Sequence, residues 1–348
     1  MLRIGRGGHV PRDAQTPRWG HWMFDARTLK PFLRTTPATV ECPVLNCAHI
    51  VTRQRKSFRR DLTFRCPDHD IYISPSTFEY ADPTSNLLAM DAEDLALFAR
   101  LLDKKAEAGR LGRERSEDAM TFNVVRALER ENLLYDLLSG VTARTISGSV
   151  PSYWSLTTNT GETHALLSEA RLAFSEKAGY GTEPDLTIET SDALFVVEAK
   201  LGPKNETRPS HESVLPRYRA GANGWYDRVL CAEPTTVAVA EKLYQLLRCW
   251  LLGTWMAERA HKRFVLVSLV AESSDVSVPV RFGACIRETR DRKFLRASWE
   301  NIREFARPPA LRDATPRLVA LVDYLDHKTR GYDAQGRLQR AFGPEREA

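Results

Sequence analysis

Apolar side chains follow three patterns along the chain, and each predicts a different kind of element. Between Asp91 and Leu102 they recur at helical spacing (Leu95, Leu97, Phe98, Leu101, Leu102) and predict a short helix. Ser116 to Arg130 repeats the pattern, with Met120, Val124 and Leu128 on one stripe and Ser116 placed as the N-cap. Thr236 to Arg259 reads as one long apolar helix, Ser298 caps another that runs through Phe305, and Pro316 to Lys328 forms the last. Phe264 to Val270 is a continuous apolar run that suits a strand buried on both faces. Asp185–Glu189 and Ala193–Lys200 read as two strands around a short turn. Strands that alternate with helices predict an α/β (α+β) body, not an all-β one.

The two strands bring candidate chemistry together. A symmetric turn centred on Ser191-Asp192 sets Thr190 opposite Ala193, Ile188 opposite Phe195, Leu186 opposite Val197 and Asp185 opposite Glu198. One face then collects Leu186, Ile188, Phe195, Val197 and Ala199 and belongs to the core. The other carries Asp185 and Glu198 abreast, with Lys200 two residues further on. Directly opposed like charges destabilise a strand pair unless something positive lies between them, and a divalent metal is the economical answer. Two ordinary strand carboxylates with a lysine pairing one of them are the plain alternative. A bulge in the turn would shift the register by one and move Asp185 off this face. Glu117 lies on the apolar stripe of its helix, where it either complements the helix N-terminus or reaches the site as an outer metal ligand. Gln245 and Arg248 lie three apart on an otherwise apolar helix; Gln245 could hold a water or a phosphate oxygen and Arg248 a phosphate, or the two form a solvated seam.

Charge alters the picture more than composition does. The 348 residues, 43% hydrophobic and 27% charged, exceed the roughly 150-residue prior for one domain and exclude a largely disordered or collagenous chain. The most apolar stretch, Leu243 to Ala257, carries Gln245 and Arg248 and is shorter than the ~20 residues a bilayer needs, so no membrane partner is expected. Arg3 and Arg6 are followed by no apolar segment of a secretory leader, which makes a cytoplasmic location the expectation. A net charge of +5 hides an asymmetry, because residues 1–66 hold 13 Lys+Arg against 4 Asp+Glu. That surplus suits a polyanion, nucleic acid first, or else a basic solvated surface.

Three of the six cysteines cluster with a histidine. Cys42 and Cys47, then Cys66 and His69, make two short chelating pairs that predict a structural Zn²⁺ site of Cys₃His type in a small ribbon. His49 is a competing ligand. A disulfide reading is weak in a chain without a leader. Cys231, Cys249 and Cys285 are expected to be buried free thiols. Between the pairs lie Arg53, Arg55, Lys56, Arg59 and Arg60 with Phe58 among them, a stretch fit for phosphate contacts and base stacking or for a solvated loop.

Taken together, Glu117 on a helix, Glu183-Pro184-Asp185, twelve intervening residues, Glu198-Ala199-Lys200 and a later helix bearing Gln245 resemble the PD-(D/E)xK nuclease superfamily, with its restriction-endonuclease-like fold, over about residues 110–305. The resemblance implies a central mixed sheet flanked by helices and Mg²⁺-dependent (or Mn²⁺-dependent) hydrolysis of phosphodiesters. It makes Asp185 and Glu198 the metal ligands, Lys200 the catalytic lysine, Glu117 the helix carboxylate and Gln245 a further polar residue. Glu183 departs from the pattern as a third acid, an extra ligand or a spectator. The N-terminal cluster resembles, more loosely, the zinc ribbons of nucleic-acid enzymes. The expected plan is a basic arm over residues 1–30, a zinc-ribbon-like module over 31–85, a helical linker over 86–115, the nuclease domain over 116–306 and a C-terminal helix and tail over 307–348 packed on it. The expected function is cleavage of nucleic acid, double-stranded DNA first, in defence against foreign DNA; a homodimer would supply the two active sites that cutting both strands requires. A repair, recombination or RNA-processing nuclease of the same fold, and a catalytically inert zinc-ribbon nucleic-acid-binding protein, stand as alternatives.

Overall fold

The computed structural model describes residues 29–56, 58–88, 91–104, 111–177, 181–202, 205–307 and 315–342. The expected basic arm lies almost wholly outside them. A small β module comes first: β1 (Thr39–Glu41) pairs with β2 (Ile50–Thr52), and β3 (Arg65–Cys66), β4 (Ile71–Ile73) and β5 (Phe78–Tyr80) form a three-stranded antiparallel sheet. Strands this short bury little, and their common core is Val40, Val51, Ile71, Ile73, Phe78 and Tyr80 around Cys42, Cys47 and Cys66.

The body follows as α1 (Ala92–Lys104), α2 (Glu117–Arg130), α3 (Leu134–Thr142), β6 (Ser149–Tyr153), β7 (Leu156–Thr157), α4 (Ala165–Ala173), β8 (Leu186–Thr190) and β9 (Ala193–Ala199). It continues with α5 (Leu215–Val229), α6 (Tyr244–Arg259), β10 (Arg263–Val270), α7 (Val278–Gly283), β11 (Arg292–Ser298), α8 (Trp299–Ala306) and α9 (Pro316–His327). The hairpin of β12 (Thr329–Tyr332) and β13 (Leu338–Arg340) closes the chain. Six strands form one mixed sheet in the order β11-β10-β9-β8-β6-β7, parallel from β11 to β9 and antiparallel beyond. The fold is thus mixed α/β, a central sheet flanked by helices, with small antiparallel sheets near the N-terminus.

Side-chain alternation explains how the sheet is sandwiched. Phe195, Val197, Ala199, Val265, Val267 and Leu269 turn to one helical layer, with Phe122, Leu128, Trp299 and Leu321. Leu194, Val196, Phe264 and Leu266 turn to the other, with Tyr218, Trp250, Met256 and Phe282. Each such side chain contributes roughly 1.5–3 kcal/mol by leaving water. β8 and β9 pair in the expected register, Leu186 opposite Val197 and Ile188 opposite Phe195. The turn is locked by Thr190, whose Oγ1 accepts the Ala193 N–H and donates to the Ala193 carbonyl, both at 2.9 Å. Gly253 permits the approach of α6 to β10, since a Cβ there would overlap the Phe264 ring.

Two expectations need correction. The segment 236–259 is not one helix: a π-helical turn at Thr236–Ala240 ends, Lys242 takes a positive φ of 57°, and α6 starts afresh at Tyr244. Thr207 makes this restart, its carbonyl accepting the Tyr244 N–H at 3.1 Å and its Oγ1 the Gln245 N–H at 2.9 Å. At the C-terminus α9 packs on the body, against α2 and α8, and Ala341 and Phe342 join the same core, Phe342 beside Trp299. Between them the β12–β13 hairpin completes the N-terminal module, where Tyr332 joins its core, its N–H donates to the Ser76 carbonyl and its hydroxyl to the Ser74 carbonyl. Cys249 and Cys285 are buried thiols, whereas Cys231 is exposed.

Candidate active site and metal centre

Three elements deliver four polar groups to one end of the central sheet. Asp185 stands immediately before β8, Glu198 is in the last turn of side chains on β9, Lys200 follows it, and Glu117 opens α2 behind the Ser116 N-cap, whose Oγ accepts the Ala119 N–H at 3.2 Å. Lys200 Nζ hydrogen-bonds to Glu198 Oε1 and lies 3.9 Å from Asp185 Oδ2 and 3.9 Å from Glu117 Oε2. Backbone donors fix the carboxylates: Ala199 N–H to Asp185 Oδ2 at 2.7 Å, Leu201 N–H to Glu117 Oε1 at 2.9 Å. The Lys200 main chain is held in turn, its N–H donating to the Leu269 carbonyl and its carbonyl accepting from Trp299 Nε1.

Electrostatics distinguish this cluster from a surface ion pair. Glu198 is fully buried, and the side chains of Asp185, Lys200 and Glu117 are 17%, 11% and 25% exposed. Burial raises the Asp185 and Glu198 carboxyls above their ordinary range, and each neighbouring carboxylate adds to the rise. Burial likewise raises Glu117. Lys200 is raised despite its burial, because Glu198, Asp185 and Glu117 surround the ammonium. Three carboxyls share one ammonium, so the cluster is short of positive charge, in keeping with the direction of these rises. Glu198 Oε2, buried and without a hydrogen-bond partner, is an acceptor in need of one. The donor set, hard carboxylate oxygens, fits Mg²⁺ or Mn²⁺. The carboxylates are held apart by Lys200: among the described residues, one group of Cys, His, Asp and Glu ligand atoms lies mutually within 4.8 Å, and it is the cysteine–histidine cluster.

The other sequence candidates are distributed differently. Gln245 lies in the first turn of α6, one turn before the buried Cys249, whose thiol is raised by burial and then by Glu198 and Asp185. Arg248, expected at a phosphate, is instead paired with the buried Glu176 at 3.2 Å and lies over the Tyr244 ring. Glu176 in turn accepts from the Thr182 N–H, the Thr182 hydroxyl and the Tyr218 hydroxyl, so this network braces the approach to Glu183-Pro184-Asp185. Glu183 is exposed and acts electrostatically on Arg171. Sequence reasoning missed Asp118, whose charge bears on Asp185 and Glu198 and whose only signal was its place beside Glu117. It also missed Asn205 and Ser268, which carry no local signal.

The second cluster is Cys42, Cys47, Cys66 and His69. Cys66 Sγ is 3.6 Å from His69 Nδ1, Cys42 Sγ is 3.8 Å from it, and Cys47 Sγ is 3.8 Å from Cys66 Sγ. These spacings suit four ligands around one tetrahedral ion. Burial and neighbouring sulfurs raise the Cys42 thiol, and burial raises Cys66; a bound Zn²⁺ would reverse both and release the protons. His49 lies outside the group and pairs with Asp68 at 2.9 Å. Lys30 stitches the knuckle, donating to the Cys42 and Cys47 carbonyls and pairing with Glu41 at 2.9 Å.

Of the basic residues between the pairs, several serve the module itself. Arg53 donates to the Pro75 carbonyl and lies over the Tyr332 ring, Arg60 pairs with Glu79 at 2.9 Å, and Arg59 lies over Phe64. Phe58 stands edge-on to Tyr72 with Arg113 over it. Arg55 and Lys56 are exposed. No helix of the described residues is long and apolar enough to cross a membrane. Comparison with protein-family models, with curated proteins and with solved structures finds no match to this chain.

Proposed function

We propose that the protein is a metal-dependent nuclease of PD-(D/E)xK type that hydrolyses phosphodiester bonds, double-stranded DNA first, and that its zinc-stapled module grips the nucleic acid. One observation carries the reading: carboxylates from three elements meet around the Lys200 ammonium, and the most buried of them, Glu198, keeps an oxygen without a partner. Asp185 and Glu198 would hold Mg²⁺ or Mn²⁺, which when bound neutralises charge at the phosphate and makes water more acidic. Lys200, ringed by carboxylates, keeps its proton; it serves as a donor to a phosphate oxygen or to the attacking water, not as a general base. Glu117 holds the Leu201 N–H and so fixes where the lysine starts. Exposed Arg55 and Lys56 and the basic surplus of residues 1–66 supply phosphate contacts. The test is hydrolysis of labelled duplex DNA, single-stranded DNA and RNA by the zinc-loaded full chain with Mg²⁺ or Mn²⁺. Cleavage that vanishes in Asp185→Ala supports the reading; binding without cleavage on every substrate and metal makes the protein an inert binder.

A further inference from the structure

Beside Glu198, on the neighbouring strand, lies a buried polar pair that the hydrolytic cluster does not use. Ser268 of β10 is the register partner of Glu198, so the two side chains share a face of the sheet. Ser268 is fully buried, and its Oγ accepts from Asn205 Nδ2 at 2.8 Å. Asn205 is itself 1% exposed, and its Oδ1 has no hydrogen-bond partner. Reversing the amide would satisfy that oxygen with the Ser268 hydroxyl but leave the NH₂ unpaired, so one end of the amide lacks a partner either way. An unpaired buried amide is expensive, yet the chain goes to some length to hold it. Asp275 Oδ2 accepts the Asn205 N–H at 2.7 Å, and Arg296 ties the loop before Asp275 by donating to the carbonyls of Ala271, Glu272 and Ser274. Two residues on, Thr207 caps α6, the helix that brings Cys249 to Glu198 and Asp185.

Two buried oxygens without donors, Glu198 Oε2 and Asn205 Oδ1, therefore belong to side chains next to Ser268, one its register partner on β9 and the other its hydrogen-bond partner. Neither a carboxylate nor an amide oxygen can satisfy the other; both need a cation or a water that donates to each. We propose that Asn205 completes the cation site of the acid cluster: with its NH₂ seated on Ser268, its amide oxygen joins Glu198 Oε2 in holding the divalent cation, directly or through one water. The proposal rests on the nuclease reading, since the cation is the one Asp185 and Glu198 would bind.

The experiment is Mn²⁺ binding to the zinc-loaded full chain, by isothermal calorimetry, for wild type, Asp185→Ala, Asn205→Leu and Asn205→Asp, with metal-free melting curves alongside. Asn205→Leu should weaken Mn²⁺ about tenfold or more, the usual consequence of removing a group around a metal ligand. Asn205→Asp, which keeps an oxygen and adds charge, should bind at least as tightly as wild type. A purely structural role would lower the melting temperature of Asn205→Leu and leave its Mn²⁺ affinity alone, and that result overturns the inference while the nuclease reading stands. Should Asn205→Leu fail to fold, weaker binding by Asn205→Asp overturns it equally. Wild type that takes up no Mn²⁺, or takes it up as Asp185→Ala does, removes the cation and the inference with it.

Discussion

The carboxylate of Glu117, in the first turn of α2, accepts the backbone N–H of Leu201 at 2.9 Å, across 84 residues of chain. The contact ties the start of the helix to the exit of β9, so the distance from Glu117 to Lys200 is set by main chain. Glu117→Gln keeps an acceptor for Leu201 but removes a charge. It should melt within a few degrees of wild type, while Mn²⁺ affinity and cleavage fall about 10–100-fold. Equal metal affinity by calorimetry would assign Glu117 to the helix N-terminus alone.

Lys200 is the one cation of the acid cluster among the described residues. Lys200→Met leaves three carboxylates facing one another in a site that is largely dry, and breaking a buried pair in this way costs about 3–5 kcal/mol. The variant should therefore be less stable in chelator, regain much of the loss when Mn²⁺ is added, and bind DNA nearly as wild type while cleaving none. Denaturant titrations with and without Mn²⁺ check this. Stability untouched by the substitution would mean that Lys200 does not neutralise the cluster.

Arg248 and Glu176 give a pH signature of their own. Burial would raise the Glu176 carboxyl, but Arg248 and the Thr182 and Tyr218 hydrogen bonds hold it below its ordinary value. A carboxyl lowered in the folded state stabilises above its unfolded value of 4.5 and loses that contribution as pH falls through and below it. In Arg248→Met only the Thr182 and Tyr218 hydrogen bonds oppose burial, so the carboxyl should rise and less stability should be lost as pH falls. The pH dependence of the unfolding midpoint distinguishes the two slopes, and parallel curves would contradict the pairing.

Zinc should report on both ends of the chain. Cys66→Ser removes a sulfur within 3.8 Å of both Cys47 Sγ and His69 Nδ1 and should release the metal, as elemental analysis would show. Gly331→Ala should weaken zinc retention too, although no ligand is touched. Gly331 has φ of +126° and an added Cβ would run into the Ser76 carbonyl, parting β12 from the module. Zinc held as firmly in Gly331→Ala as in wild type would show that the ribbon does not depend on the C-terminal hairpin.

What could be read from the sequence was local. Leu186, Ile188, Phe195 and Val197 alternate around a symmetric turn, and without a bulge in that turn the period sets the register observed, Leu186 opposite Val197. Ser116 marked the start of α2 because a hydroxyl one residue before a helix has a free N–H to accept. The break at Lys242 was hidden because apolar residues lie thickly on both sides of Glu241-Lys242; it is made by Thr207, which supplies the α6 cap from another loop. Arg248 read as a phosphate ligand because its partner, Glu176, is 72 residues away. The same distance effect concealed the β12–β13 hairpin in the N-terminal module and the Asn205–Ser268 pair beside Glu198. Pairings that only packing creates leave no period to detect.

The most direct measurement is the anomalous scattering of Mn²⁺ in crystals of the zinc-loaded protein. The account predicts a peak at about 2.0–2.6 Å from oxygens of both Asp185 and Glu198, with the Lys200 ammonium displaced from Glu198 Oε1. A map with no Mn²⁺ peak there, and Lys200 still bonded to Glu198, would contradict it.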